Sequence, residues 1–227
     1  MNPVLSGPPR PAPIATRTHT AILASVFVLL AIAGGYAQMA GHVERAAPNE
    51  HQAIQLYVSA LMVEWASVFY VWKGTRRRHV SLSDLVSGRW ARPADFLIDL
   101  LMAAALWGIW IGIESMLPNT NTVRALLPRG ALELGVWMLL SLSAGFCEEL
   151  VFRGYFQRQF HALTGSLAAA IALQALVFGI GHFYEGGRAV AEITLYGLLF
   201  GLLAAWRKSL RPGMLAHAWS DIFAVLS

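Results

Sequence analysis

Residues 134–156 read LGVWMLLSLSAGFCEELVFRGYF, an apolar run broken only by Glu148, Glu149 and Arg153. A helix rising about 1.5 Å per residue needs about 20 mostly apolar residues to cross a bilayer core of about 30 Å, and this run is long enough. A charge at the bilayer centre costs on the order of 3 kcal/mol on insertion scales, so three such groups need mutual pairing or a water-filled cavity. The stretch therefore sets two expectations together: a membrane helix, and a functional site inside it.

The rest of the chain agrees with the first expectation. Of its 227 residues, 56% are hydrophobic and only 13% are charged, against roughly 25% charged in soluble domains. Seven candidate spans can be drawn: 21–39, 53–72, 96–116, 132–156, 167–182, 190–206 and 213–226. The last is short and carries His217 and Asp221. The runs are continuous and lack the period of two that marks barrel strands, so the expected fold class is an all-α polytopic transmembrane helical bundle of about seven spans. Three parts follow: a disordered cytoplasmic tail over 1–20, scaffold helices over 21–131, and a core over 132–227 with a polar cavity among its helices. Gly35-Tyr36-Ala37 resembles a small-x-small cleavage site, but the preceding run is longer than a usual signal core and reads as a retained helix.

Basic residues orient this drawing. With the amino terminus inside, Arg10, Arg17, Lys73, Arg76, Arg77, Arg78, Arg89, Arg92, Arg153, Arg158, Arg207, Lys208 and Arg211 fall on the cytoplasmic side, 13 of the 17 Lys and Arg residues. Arg45, Arg124, Arg129 and Arg188 fall outside. The positive-inside rule then gives a cytoplasmic amino terminus, and the expected location is as an integral protein of a bacterial inner membrane. The net charge of +4 follows from those loops and calls for no nucleic-acid partner; Lys73–Arg78 reads as an anchor on anionic lipid. The single cysteine, Cys147, excludes an intramolecular disulfide and reads as a packing residue.

Three segments concentrate the chemistry. Glu149 and Arg153 are spaced i,i+4 and share a helix face at ion-pairing distance, leaving Glu148 about 100° around the helix to face elsewhere. Phe178-Gly179-Ile180-Gly181-His182 ends an apolar span on an imidazole, with two glycines that allow close helix approach. His217 and Asp221 are again i,i+4 and present an imidazole and a carboxylate together. If residues 162–165 turn the chain, Glu148 and His182 stand roughly 23–26 Å from that turn on antiparallel helices, which brings them level. By the same ruler His217 lies near the membrane surface, which requires helices that project beyond the bilayer or a deep cavity.

The order Glu148-Glu149-x-x-x-Arg153, Phe178-x-x-x-His182, His217-x-x-x-Asp221 on successive hydrophobic segments resembles the three motifs of the CPBP family of intramembrane endopeptidases, which includes the eukaryotic Ras-converting CAAX proteases and bacterial Abi proteins. The resemblance covers about 132–227. It implies that Glu148 is the catalytic glutamate with His182, that His217 and Asp221 help activate water or stabilise the oxyanion, and that Glu149, Arg153 and Phe178 are structural. One position departs from the pattern. Many members carry asparagine where this chain has Asp221, and an ionised aspartate accepts hydrogen bonds without donating them, so it either stays protonated or orients His217.

The chemistry also follows from the residues. Peptide hydrolysis in a membrane needs a base to deprotonate water, and Glu148 suits that role. One imidazole can share the water or protonate the leaving amine; a second can stabilise the tetrahedral state. The expected substrate is a hydrophobic, membrane-associated or lipidated peptide. Glu148, His182, His217 and Asp221 are also a ligand set for zinc with an open position, but no His-Glu-x-x-His run is present, so the metal-free mechanism is preferred and no cofactor is expected. The alternative class is a non-catalytic membrane protein, either a bacteriocin-immunity factor or a proton-coupled transporter; transport predicts inverted repeats, and none is visible. Among the remaining polar groups, His19, His42, His51, His79 and His161 read as solvated, and Glu114 and Glu192 as helix-end residues. Asp99 and Glu64 are possible cavity liners. Trp65, Trp72, Trp107, Trp110, Trp137, Trp206 and Trp219 read as interface and lipid-facing packing.

Overall fold

Local sequence signals set the helix ends. The computed structural model describes residues 11–39, 48–116 and 126–226, and among these every regular element is helical. Helix α1 runs Arg17–Met39 and α2 runs Glu50–Arg76. Asn49 caps α2 through a reciprocal box with Gln52, satisfying two amide donors at the helix start. The same device, Ser81 with Asp84, starts the short helix α3, Leu82–Val86; the Ser81 hydrogen bonds hold the exposed Asp84 carboxyl below its ordinary range. Pro93 opens α4, Pro93–Ser115, where its missing N–H costs nothing.

The quoted run becomes one continuous rod of three parts. Helix α5 covers Ala131–Glu148, a π-helical segment covers Glu149–Phe156, and α6 covers Gln157–Thr164. Gly165, at φ 74, ends the rod in the left-handed conformation that glycine accepts most readily, and Ser166 caps α7, Leu167–Gly181. A single turn of 3₁₀ helix, Phe183–Glu185, leads to α8, Gly187–Arg207, and α9, Arg211–Phe223, follows with a 3₁₀ tail, Ala224–Leu226.

The seven expected spans are all helical, but they differ in length. By length and composition five helical stretches can cross a membrane: Arg17–Ala37, Glu50–Arg76, Pro93–Ser115, Ala131–Thr164 and Gly187–Arg207. The other two expected spans are helices of 15 and 13 residues, about 23 and 20 Å long and short of the hydrocarbon thickness. Both pack against the long rod. Every residue of the π segment is buried, and it anchors a core that includes Leu85, Leu150, Tyr155, Phe156, Phe178 and Phe200.

The chain segments assigned to one face of the membrane do gather at one end of the bundle. Gln159 Oε1 accepts from the Ile14 and Ala15 amides at 2.9 and 3.2 Å, and its Nε2 donates to the Ala15 carbonyl at 2.9 Å. Arg158 donates to the Leu85 carbonyl and to Ser87 Oγ, and the Leu210 amide donates to the Val86 carbonyl. Arg207 and Trp90 both donate to Asp99, which is buried. Asp99 therefore pairs at the basic end and does not line the cavity.

Several polar residues read as solvated are internal. Residues 11–20 are ordered against α6, and Ala15 is buried, because the buried Gln159 amide takes its partners from that segment. Residues 1–10 of the expected tail, with Arg10, and also His42, Arg45 and Arg124, lie outside the described residues. His19 stacks on Tyr70 at 4.0 Å; its Nδ1 meets the Tyr155 hydroxyl at 2.8 Å and its Nε2 the Tyr70 carbonyl at 3.0 Å. Trp110 is buried against Tyr196, and Trp137 donates to the Asp221 carbonyl at 2.9 Å. Between the spans drawn at 53–72 and 96–116 lies α3, which seats Leu85 under the π segment.

Candidate active site

The site begins at the junction of α5 and the π segment. There the backbone changes from i→i+4 to i→i+5 pairing, as in the Gln157 amide donating to the Phe152 carbonyl, and such wide turns recur at functional sites. Glu149 and Arg153 meet across this segment, Arg153 Nη1 donating to Glu149 Oε1 at 2.8 Å with both side chains sealed from solvent. The guanidinium is stacked between rings, 4.3 Å from Phe178 and 5.2 Å from Phe200. Phe178 thus holds the arginine and, edge-on at 4.8 Å, the His182 ring.

Glu148 turns the other way, as its one-residue offset requires. It faces a mostly apolar cavity of about 300 Å³ between α1, α2, α5 and the end of α7, whose wall also includes Glu64, Cys147, His182 and Tyr184. The antiparallel hairpin of α5–α6 and α7 does bring Glu148 and His182 level. His182 Nδ1 lies 2.9 Å from the Phe178 carbonyl, which can only accept, so Nδ1 carries a proton and the neutral ring keeps a lone pair on Nε2.

His217 stands behind Glu148, and it is buried. Its Nδ1 is 3.1 Å from Glu149 Oε1, and its Nε2 is 3.6 Å from Glu148 Oε2 and 3.9 Å from Asp221 Oδ2. Ionised carboxylates only accept, so a proton rests on Nε2 or on one of the two carboxyl groups facing it. Glu148 Oε2 is itself buried and accepts no hydrogen bond among the described residues. Glycine makes the approach of α9 possible: a Cβ at Gly145 would stand 2.7 Å from the Met214 carbonyl, and one at Gly213 would stand 3.0 Å from Glu149 Oε2. The rod that carries Glu148 is 34 residues long, more than the roughly 20 that a bilayer core requires, which fits the expectation of helices that project beyond the bilayer.

All the residues singled out by spacing therefore come together, in two layers: Glu148 and His182 on the cavity, with His217, Asp221, Glu149 and Arg153 behind Glu148. Of the glycine pair on α7, Gly179 lies against Val190 and Thr194 of α8, whereas a Cβ at Gly181 would meet nothing within 4 Å. Sequence reasoning missed Ser143, which donates to Glu64 Oε2 at 2.6 Å, Trp137 on the Asp221 backbone, and Tyr196, whose hydroxyl lies 2.6 Å from Ser220 Oγ. Ser143 precedes Cys147 by one turn on the motif helix, and that spacing was the available signal. Among the described residues, no group of three or more His, Cys, Asp and Glu side chains is arranged to hold a metal ion.

Residues 130–223 match the model of the Rce1-like family, described as type II CAAX prenyl endopeptidase Rce1-like. The matched segment begins at the amino terminus of α5 and ends with α9, so it contains every residue of the two layers, whereas Glu64 on the cavity wall lies outside it. No curated protein and no solved structure matches the chain.

Proposed function

Taking as premise the assignment to the CPBP/CAAX protease family that the match over residues 130–223 supports, we propose that this integral membrane protein hydrolyses a peptide bond in a hydrophobic or lipidated peptide, using water activated by Glu148. The observation that carries this reading is geometric. A carboxylate and an imidazole acceptor, Glu148 and His182, line one mostly apolar cavity, and the free Glu148 Oε2 is backed by His217.

In this reading, water enters between Glu148 and His182. Glu148 takes one of its protons, His182 Nε2 accepts the other as a hydrogen bond and fixes the water's direction, and the oxygen adds to the scissile carbonyl carbon. His217, which stands behind Glu148 with Nε2 3.6 Å from Glu148 Oε2, helps that carboxylate activate the water, and Asp221 and Glu149 flank the imidazole. Glu149 and Arg153 neutralise one another and keep the π segment rigid. The apolar walls favour an alkyl or prenyl chain near the bond to be cut. We further infer that the basic end of the bundle, with Arg76–Arg78, Arg89 and Arg207, faces the cytoplasm.

The test is cleavage of a fluorogenic peptide ending in prenyl-cysteine and three further residues, beside its unprenylated twin, by purified protein in detergent. Wild type is expected to cleave the prenylated peptide, and Glu148→Ala, His182→Ala and His217→Ala each to lose nearly all activity while remaining monodisperse. Full activity in Glu148→Ala would overturn the assignment, and inactivity of wild type on both peptides would favour a non-catalytic protein.

A further inference from the structure

When the C–N bond breaks, the departing amine must gain a proton. Glu148 can return the one it took from water, but a second acid on the cavity would let the amine leave while Glu148 still holds that proton, and the cavity offers few candidates. His182 turns its Nδ1 to the Phe178 carbonyl at 2.9 Å, and the proposed mechanism uses its Nε2 as the acceptor that directs the water. Ser59 and Ser67 donate back to their own helix, to the Gln55 and Val63 carbonyls. Cys147 is buried with its sulfur 3.6 Å from Ser143 Oγ. Tyr184 carries a phenol, a far weaker acid than a carboxylic acid, with ordinary pKa values of about 10 against about 4.

Glu64 remains. It lies in the middle of α2, a membrane-spanning helix outside the family match, and its side chain reaches the wall that also holds Glu148. A structural carboxylate at such a depth is normally paired with a cation. Glu64 makes no ion pair among the described residues; its partner is the Ser143 hydroxyl, which α5 supplies five residues before Glu148. The charged and titratable groups around this space are Glu148 and Cys147 from α5, His182 at the end of α7, Tyr184 and Glu185 from the 3₁₀ turn that follows it, and His217 and Asp221 behind Glu148 on α9. Two carboxyl groups on one low-dielectric cavity cannot both be ionised without strong repulsion, and one proton between them removes it.

We propose that Glu64 is a second catalytic carboxyl group: held by Ser143, it keeps the proton that the cavity retains and gives it to the leaving amine while Glu148 takes one from water. This extends, and rests on, the peptidase reading of the same site. The step balances. The water oxygen bonds to the carbonyl carbon as the C–N bond breaks, Glu148 gains the proton that water loses, and the amine gains the proton that Glu64 loses. Transfer of a proton from Glu148 to Glu64 then restores the resting pair.

Two readouts test this, one independent of turnover. In the resting protein at neutral pH, the infrared spectrum should contain a protonated-carboxyl band that is lost in Glu64→Gln; an unchanged band overturns the proposal. With the prenylated fluorogenic peptide, Glu64→Gln should lower kcat about 100-fold or more with KM changed less than about twofold, since a positioned general acid contributes about 10²–10⁴. The alkaline limb of the pH–rate profile, which reports an acid that must stay protonated, should disappear in Glu64→Gln and return in part in Glu64→Asp. A merely structural glutamate would change folding and KM but leave that limb, and such a result overturns the proposal. Wild type that cleaves neither peptide would fault the peptidase reading itself, and the infrared band would then decide the state of Glu64 alone.

Discussion

Replacing Glu149 with glutamine changes one oxygen for a nitrogen, yet the structure makes it a severe perturbation. The Arg153–Glu149 contact of 2.8 Å has side chains at 0% and 1% exposure, and at an effective dielectric constant of about 20 the attraction across it is roughly 6 kcal/mol. Arg153 has little else to turn to: its Nε and Nη2 have no hydrogen-bond partner among the described residues, and Phe178 and Phe200 occupy the space around the guanidinium. Glutamine keeps the volume and an oxygen for the hydrogen bond but leaves a buried cation uncompensated, a change that costs about 3–5 kcal/mol. At 1.4 kcal/mol per tenfold step, the unfolding equilibrium should shift about 150- to 4,000-fold. The assay is reversible unfolding in mixed micelles with increasing SDS, followed by far-UV circular dichroism. Adding Arg153→Met to Glu149→Gln removes the orphaned charge and should recover at least half of the loss. A single variant within about 1 kcal/mol of wild type, or a double variant no better than the single, would refute the reasoning.

Other consequences are more local. Gly179→Ala places a Cβ 2.6 Å from the Val190 carbonyl and should cost about 1–3 kcal/mol in the same unfolding assay, whereas Gly181→Ala should be silent there. Asp221→Asn should stay measurably active, because an amide oxygen still accepts from His217 and an amide nitrogen can donate to an oxyanion; activity that falls in this variant and returns with added zinc would instead make Asp221 a metal ligand. With Cys147 replaced by alanine, a cysteine at the exposed position 83 should be protected from an impermeant thiol reagent in intact cells while one at the exposed position 188 is labelled. The reverse pattern would invert the orientation.

The parts of this site that were legible in the sequence are those fixed by helical spacing. Glu149 to Arg153 and His217 to Asp221 each span one turn, so their side chains had to meet, and the offset of Glu148 had to send it elsewhere. The pairing of Glu148 with His182 followed from equal distances to the turn at Gly165. What spacing does not encode is the backbone register of the π segment, which depends on packing against neighbouring helices. Long-range satisfaction of polar groups was hidden for the same reason. Nothing near His19 in the sequence announces Tyr70 or Tyr155, and nothing near Asp99 announces Arg207.

The central claim is that Glu148 activates water for attack on a peptide bond, and single-turnover cleavage of the prenylated peptide in ¹⁸O-water tests it most directly, comparing wild type with Glu148→Gln in the presence of chelator. The account predicts that wild type cleaves, that one ¹⁸O enters the new peptide carboxylate, that none enters the Glu148 side chain, and that Glu148→Gln is slower by at least about 100-fold. Label recovered in Glu148, or a Glu148→Gln variant that cleaves at the wild-type rate, would contradict it.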